Sequence, residues 1–294
     1  MIATPRFAPT PGRVIGSTLK YATLIVASAL VIVPLLAIFL GSFETYQEFN
    51  RPGFPLPGNF LNLDNYATAL TNTQHAGLSG LFAVGGMGRA FLMTGLVLVP
   101  SCIGTILIGT MTAYVLSRFK SRFTGIVQSL FLLSALIPAI STQVATFQII
   151  NFLGVYNTAL APIILYLGTD VISLRIFLQF ANNIPFDIDE AALIDGSSFF
   201  GVYWRVMLPL LRPAIATVVI LKVIAIYNDF YTPFLYMPDK SLGTVSTSLF
   251  RFIGPYSAHY EVVCAGVIII TLPTLILFIL LQQQIYNGFS GAVK

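Results

Sequence analysis

Apolar residues dominate six stretches of this chain, Tyr21–Phe43, Ala90–Leu116, Gly125–Ile150, Thr158–Ala181, Pro213–Leu235 and Val262–Leu281, and polar residues gather between them. Each stretch is long enough for a helix to cross the hydrocarbon core of a bilayer, which takes about 20 mostly apolar residues. The pattern predicts an all-α membrane protein with six transmembrane helices. A mean hydropathy of +0.85 with 9% charged residues agrees, since a soluble domain carries roughly a quarter.

The first stretch is too long for the apolar core of a secretory signal, and Gly41-Ser42-Phe43-Glu44 after it lacks a small-x-small cleavage pattern, so it is expected to be an uncleaved anchor. Residues 1–20 form an arm with Pro5, Pro9, Pro11, Arg6, Arg13 and Lys20, expected to be flexible and cytoplasmic. With the arm inside, the inner loops collect Arg118, Lys120, Arg122, Arg205, Arg212 and Lys294, and the outer ones Arg51, Arg89, Lys240 and Arg251. Basic residues favour the cytoplasmic side. Both termini are therefore expected in the cytoplasm, and the net charge of +4 reports orientation rather than nucleic-acid binding. The long outer connection, Ser42 to Arg89, contains a predicted surface helix in "FLNLDNYATAL", with Asp64 near its start, and a Gly-rich segment from Gly77 that lacks phosphate-binding spacing.

Chemistry is sparse. His75 and His259 lie far apart in outer loops, Cys102 and Cys264 fall in spans, and no metal-ligand cluster or G-x-x-x-x-G-K-[ST] motif is present. Any energy from ATP has to enter through another chain.

The connection between the fourth and fifth spans, 187–209, breaks the pattern with Asp187, Asp189, Glu190 and Asp195 around Ala191-Ala192 and Gly196. Asp187-x-x-Glu190 has capping-box spacing, Gly196 permits a sharp turn, Ser197 or Ser198 can cap a second helix, and Pro209 is expected to stop it. The product is a helix–Gly–helix knuckle on the cytoplasmic surface. Amphipathic linkers of this kind often lie on lipid. Against that, Ala-Ala and Gly bare a backbone that another protein can approach, and the acidic cluster suits an anionic leaflet poorly.

Glu190-Ala191-Ala192, three residues, Gly196, nine residues, Val206, one residue, Leu208-Pro209 resembles the EAA motif of permease subunits of ATP-binding-cassette importers, with Val206 in place of isoleucine. "LPLLRPAIATVVI", "YNDFYTPFLY" and "QQQIYNGFSGAVK" are similar to the carbohydrate branch of maltose-type permeases, with Tyr227 where that branch usually has tryptophan. The resemblance implies a second homologous permease, two ATPase subunits that hold ATP and Mg, an external solute-binding protein and a saccharide. It also implies a coupling helix, seated on the ATPase through Glu190, Ala191, Ala192, Asp195, Gly196, Leu208 and Pro209. No cofactor is expected on this chain. A secondary transporter or channel would share the hydropathy profile but has no use for the EAA spacing, and a membrane enzyme would need a constellation that no span supplies.

Asp170, Arg175 and Lys222 are ionisable residues inside apolar stretches. Charges at such depth usually face a partner or a cavity. Two readings stay open: Asp170 and Lys222 brace two helices as a pair, or Arg175 and Lys222 make a positive pathway suited to an acidic saccharide. Ser141, Thr142 and Gln143 beside a kink at Pro138, with Tyr227, Asn228 and Asp229, are further pathway candidates.

Overall fold

The computed structural model describes residues 11–53, 56–71, 80–253 and 258–291. Among them no β-strand forms, and one isolated antiparallel bridge joins Ile253 and Ala258. Three helices are long and apolar enough to cross a membrane: α1 (Pro11–Gly41), α3 (Met87–Arg118) and the final helix α11 (Tyr260–Gly291). The remaining apolar stretches are bent pairs, which raise the number of spans to six if each pair is one span. His75, residues 77–79 of the Gly-rich segment and Lys294 lie outside the described residues, as does the arm up to residue 10. The rest of that arm, expected to be flexible, is already helical, because α1 starts at Pro11, a residue well suited to a first turn.

The chain divides into two compact units. The first comprises Met1–Tyr66 and Phe252–Ile268. Here the predicted surface helix is α2 (Asp64–Thr71), and Asn65 just inside it ties down the end of α1 by donating to the carbonyls of Ser42 (3.0 Å) and Glu44 (2.7 Å). Phe39, Phe43 and Tyr66 pack their rings around that turn. Burial pushes the Glu44 carboxyl above its usual range, and the nearby Glu48 charge adds to the shift.

The second unit, Ala67–Arg251 with Ile269–Lys294, is organised around α3. Three bent pairs of apolar helices belong to it: α4 (Arg122–Ser134) with α5 (Ala139–Phe152), α6 (Leu160–Leu167) with α7 (Val171–Asn182), and α9 (Phe199–Leu210) with α10 (Arg212–Asn228). Between α7 and α9 lies the short α8 (Phe186–Ile194). Ala113 and Leu116 of α3 pack with Leu174, Phe177 and Leu178 of α7 and Ala214 and Val218 of α10 in one apolar cluster.

The breaks have local causes. The kink expected at Pro138 is a 106° bend, since Ala135–Ile137 already form a turn and Pro138 has extended backbone as the N-cap of α5. Gly168 ends α6 with extended backbone, and α7 restarts at 43° with Asp170 as its N-cap. Asp170 Oδ1 accepts from the Ser173 N–H (2.8 Å) and Oδ2 from its hydroxyl (2.9 Å). Across this break Thr105 of α3 donates to the Tyr166 and Gly168 carbonyls, at 3.1 and 3.3 Å. The fifth apolar stretch also stops early, at Asn228, and resumes as one short helix, Tyr231–Tyr236.

Close approach of α3 to α7 depends on glycine. A Cβ on Gly109 would stand 2.7 Å from the ring of the fully buried Phe177 and 2.9 Å from the Thr169 hydroxyl, whereas a Cβ on Gly95 of the same helix meets open space. Gly109→Ala is therefore expected to lower stability in detergent micelles by about 1–3 kcal/mol through overpacking. Gly95→Ala should be neutral or gain up to about 1 kcal/mol from helix propensity. Chemical denaturation of the two variants side by side checks the contrast.

Candidate coupling loop and transmembrane polar residues

The knuckle has the predicted helix–turn–helix form with two differences. Its first helix, α8, starts at Phe186 with Pro185 as N-cap and no side-chain cap, so the Asp187–Glu190 capping box does not form. Proline fixes φ for helix entry and places Asp187 and Asp189 in the first turn, where they favour the positive helix end without capping it. Pro209 does not stop the second helix either. A π-helical stretch, Tyr203–Met207, precedes it and has already released the ordinary i→i−4 pairing, so the missing proline N–H disturbs nothing and the helix continues to Leu210.

The turn itself follows expectation. Gly196 has φ +84°, its N–H donates to the Leu193 carbonyl (3.0 Å), and the Ser197 N–H reaches back to Ala192 O (3.0 Å), a Schellman closure. The Ser198 hydroxyl then caps α9 by accepting from the Gly201 N–H at 3.1 Å.

One face of the knuckle packs inward. Val202, Tyr203, Met207 and Leu211 are buried with Tyr114 of α3 and Ala181 of α7, and Ala192, Leu193, Val206 and Leu208 press on that cluster. The Tyr203 and Thr110 hydroxyls meet at 2.9 Å. The other face is open. Glu190, Ala191, Asp195 and Gly196 are exposed, Ile194 at 85%, while Pro209 is half-buried.

Arg118 at the end of α3 holds the knuckle. Its guanidinium donates to both oxygens of Asp189 in α8 (2.7 and 3.4 Å), to the Ala181 carbonyl at the end of α7 (3.2 Å) and to the Ile184 carbonyl (3.1 Å), and it touches the Met207 sulfur (3.5 Å). Its central carbon lies 4.6 Å from the centre of the Phe186 ring. Both charged side chains are buried, at 4% and 8% exposure. In the sequence Arg118 reads as an orientation signal and Asp189 as one of several knuckle acids; only the acidic excess beside a basic loop hints at the pair.

The pathway candidates separate. Lys222 of α10 pairs with Asp170 at 2.9 Å, with side chains 14% and 46% exposed, which is the bracing geometry. Arg175 is not with them; it lines a different cavity, with Lys120 and Gln128. Tyr227 is buried and donates to the Ile270 carbonyl of α11 (2.9 Å). Asp229 accepts from the Tyr166 hydroxyl (2.7 Å) and from the Thr232 N–H and hydroxyl (3.1 and 2.7 Å), bridging α6 to the restart after α10. Asn228 bonds its own helix at Ile224 O. Ser141 and Thr142 are exposed and Gln143 is half-buried on the first turn of α5.

Broken apolar helices around one central span, with an amphipathic knuckle clamped beneath them, are the build of a membrane-embedded transport subunit. Residues 105–287 match the family model described as binding-protein-dependent transport system inner membrane component. The chain belongs to that family. It is 34% identical to the probable starch degradation products transport system permease protein AmyC of Thermoanaerobacterium thermosulfurigenes, over 92% of this chain and 94% of that one. With the diacetylchitobiose uptake system permease protein NgcG of Streptomyces coelicolor it shares 29% identity, over 93% and 87%. Among solved structures, a chain from the crystal structure of a bacterial ABC transporter involved in import of the acidic polysaccharide alginate has the same fold, with a TM-score of 0.74, 18% identity, and coverage of 95% of this chain and 99% of that one.

Removing one partner of a buried ion pair strands the other charge and costs about 3–5 kcal/mol, whereas replacing both with apolar groups is often neutral. Arg118→Met and Asp189→Leu are each expected to destabilise the purified protein on that scale. Together they should recover most of the loss but stay about 1–3 kcal/mol short, because the Ile184 carbonyl still lacks a donor. A double-mutant cycle by denaturation in micelles reads this directly.

Proposed function

We propose that this chain is a permease subunit of an ATP-driven importer that carries a saccharide across the cytoplasmic membrane, crossing six times with both termini inside. The partners are a second, homologous permease, two ATPase subunits that bind ATP and Mg, and an external solute-binding protein. Family membership and relatives named for starch products and diacetylchitobiose support the importer role and the class of cargo.

The observation that carries the coupling role is the two-faced knuckle. Its inner face is fastened to α3 and α7 through Arg118, so a push on the knuckle moves helices. The outer face offers Glu190, Ala191, Ile194, Asp195 and Gly196 to an ATPase cleft. Closure of the ATPase dimer would then rock the spans between inward-open and outward-open states as rigid bodies. Leu208 and Pro209 support the knuckle from within rather than touching the ATPase.

As for cargo, the Lys222 charge is already met by Asp170, so a preference for acidic saccharides through this chain would rest on Arg175 alone, away from that pair. We assign Asp170 and Lys222 to bracing α7 against α10.

Two measurements test these roles in the reconstituted complex. Glu190→Lys reverses a docking charge, and Gly196→Trp puts a bulky side chain on a backbone that favours glycine. Each should still insert, yet lose uptake and substrate-stimulated ATP hydrolysis by at least about tenfold; normal uptake by both variants would overturn the docking role. For the brace, Lys222→Met should impair folding and transport, and adding Asp170→Leu should restore both, except for a residual cost from the lost α7 cap of about 1 kcal/mol. A double variant that folds but discriminates against acidic cargo relative to wild type would return Lys222 to the pathway.

A further inference from the structure

The cavity that Arg175 lines is unused by the coupling role. It encloses about 550 Å³ where the ends of α3 and α7 meet the starts of α4 and α8. Lys120 and Arg175 contribute exposed cations to it, with Gln128 and Asn182 as amide partners, and no acidic residue lines it. Among the described residues neither cation has an ion-pair partner, whereas the Arg118 charge at its edge is met by Asp189. The chamber is therefore electropositive and hydrogen-bonding.

Beside it runs a second, smaller groove of about 220 Å³, lined by Met111, Val115, Phe123 and Val127. Leu116 and Thr124 line both spaces, so the two adjoin along these side chains. Phe123 is 72% exposed at the groove's mouth. Both spaces flank residues 119–121, the connection between α3 and α4, where two apolar helices reach the membrane surface; the orientation proposed above makes it the cytoplasmic one.

We infer that this composite pocket holds one anionic phospholipid, its phosphate in the chamber between Lys120 and Arg175 and an acyl chain in the groove. The argument is complementarity in two parts. Unpaired cations at a membrane surface attract anionic headgroups, each by a useful amount, and a zwitterionic headgroup would bring its own cation against them. A free phosphate satisfies the chamber but leaves the apolar groove empty. The inference needs only that the chain is membrane-embedded, so it stands or falls apart from the coupling role and from the saccharide.

The test uses the purified transporter complex with matched-chain phosphatidylglycerol and phosphatidylcholine, and bound lipid counted by native mass spectrometry. Wild type is expected to retain phosphatidylglycerol over phosphatidylcholine by on the order of tenfold. Lys120→Gln with Arg175→Gln should abolish that preference, while Lys240→Gln, on a different loop, should leave it intact. Thermal unfolding shows whether the double variant is folded, and the wild-type comparison of the two lipids decides the matter even if it is not. Equal retention of both lipids by wild type, or an unchanged preference in a folded double variant, overturns the assignment. Displacement of phosphatidylglycerol by millimolar inorganic phosphate alone would also overturn it, in favour of a soluble anion.

Discussion

An apolar solvent offers no hydrogen bonds, so a helix that breaks inside a membrane must find partners for the backbone groups it frees. This chain bends its apolar helices repeatedly, and several of its polar side chains within the apolar stretches are placed at those breaks. At the α6–α7 break, Thr105 donates to the carbonyls of Tyr166 and Gly168, and Asp170 accepts from the restarting helix. Where α10 ends, Asp229 caps the next turn through Thr232, and the Ser246 hydroxyl donates to the Asp229 carbonyl (2.6 Å). At the far end of α7 the Arg118 guanidinium serves the Ala181 and Ile184 carbonyls. In two of these three repairs the partner comes from α3, which explains why the unbroken helix sits at the centre of its unit.

The same requirement ties the proposed coupling loop to the helices above it. A cation at a helix C-terminus is favourable in itself, because it meets unsatisfied carbonyls and the negative end of the dipole. Arg118 does this for α7 and has a charge left to bind Asp189. One side chain thus finishes α7 and fastens the knuckle to it. Tyr203, buried against Thr110 one layer deeper, adds a second fastening between the knuckle and α3. Neither contact would survive if the knuckle moved independently of those helices.

Hydropathy made the apolar stretches legible, and local chemistry made the knuckle's turn legible: Gly196 has the positive φ, and Ser198 the capping hydroxyl, that their residue types suggest. The failures share a physical origin. A run of apolar residues looks alike whether its helix is continuous or bent by 106°, because hydropathy reports solvent and not direction. Asp170 and Asp229 stood out as charges, yet part of their work is capping, which depends on where the backbone stops. Pro185 displaced the Asp187 cap by starting the helix two residues earlier than the acid would have it, and the π-helical stretch before Pro209 is invisible to propensity. The Arg118–Asp189 pair joins positions 71 apart in sequence, and only the folded chain brings them together.

The pairing of Lys222 with Asp170 has an electrical meaning. A single unpaired charge carried across the whole field of an energised membrane exchanges about 2.3 kcal/mol per 100 mV with that field. Because the two charges sit 2.9 Å apart on α7 and α10, a displacement that carried both helices together would move this pair as a short dipole and draw no net charge from it. The pair is electrically almost silent. Lone charges on the same helices would feel the field where this pair does not.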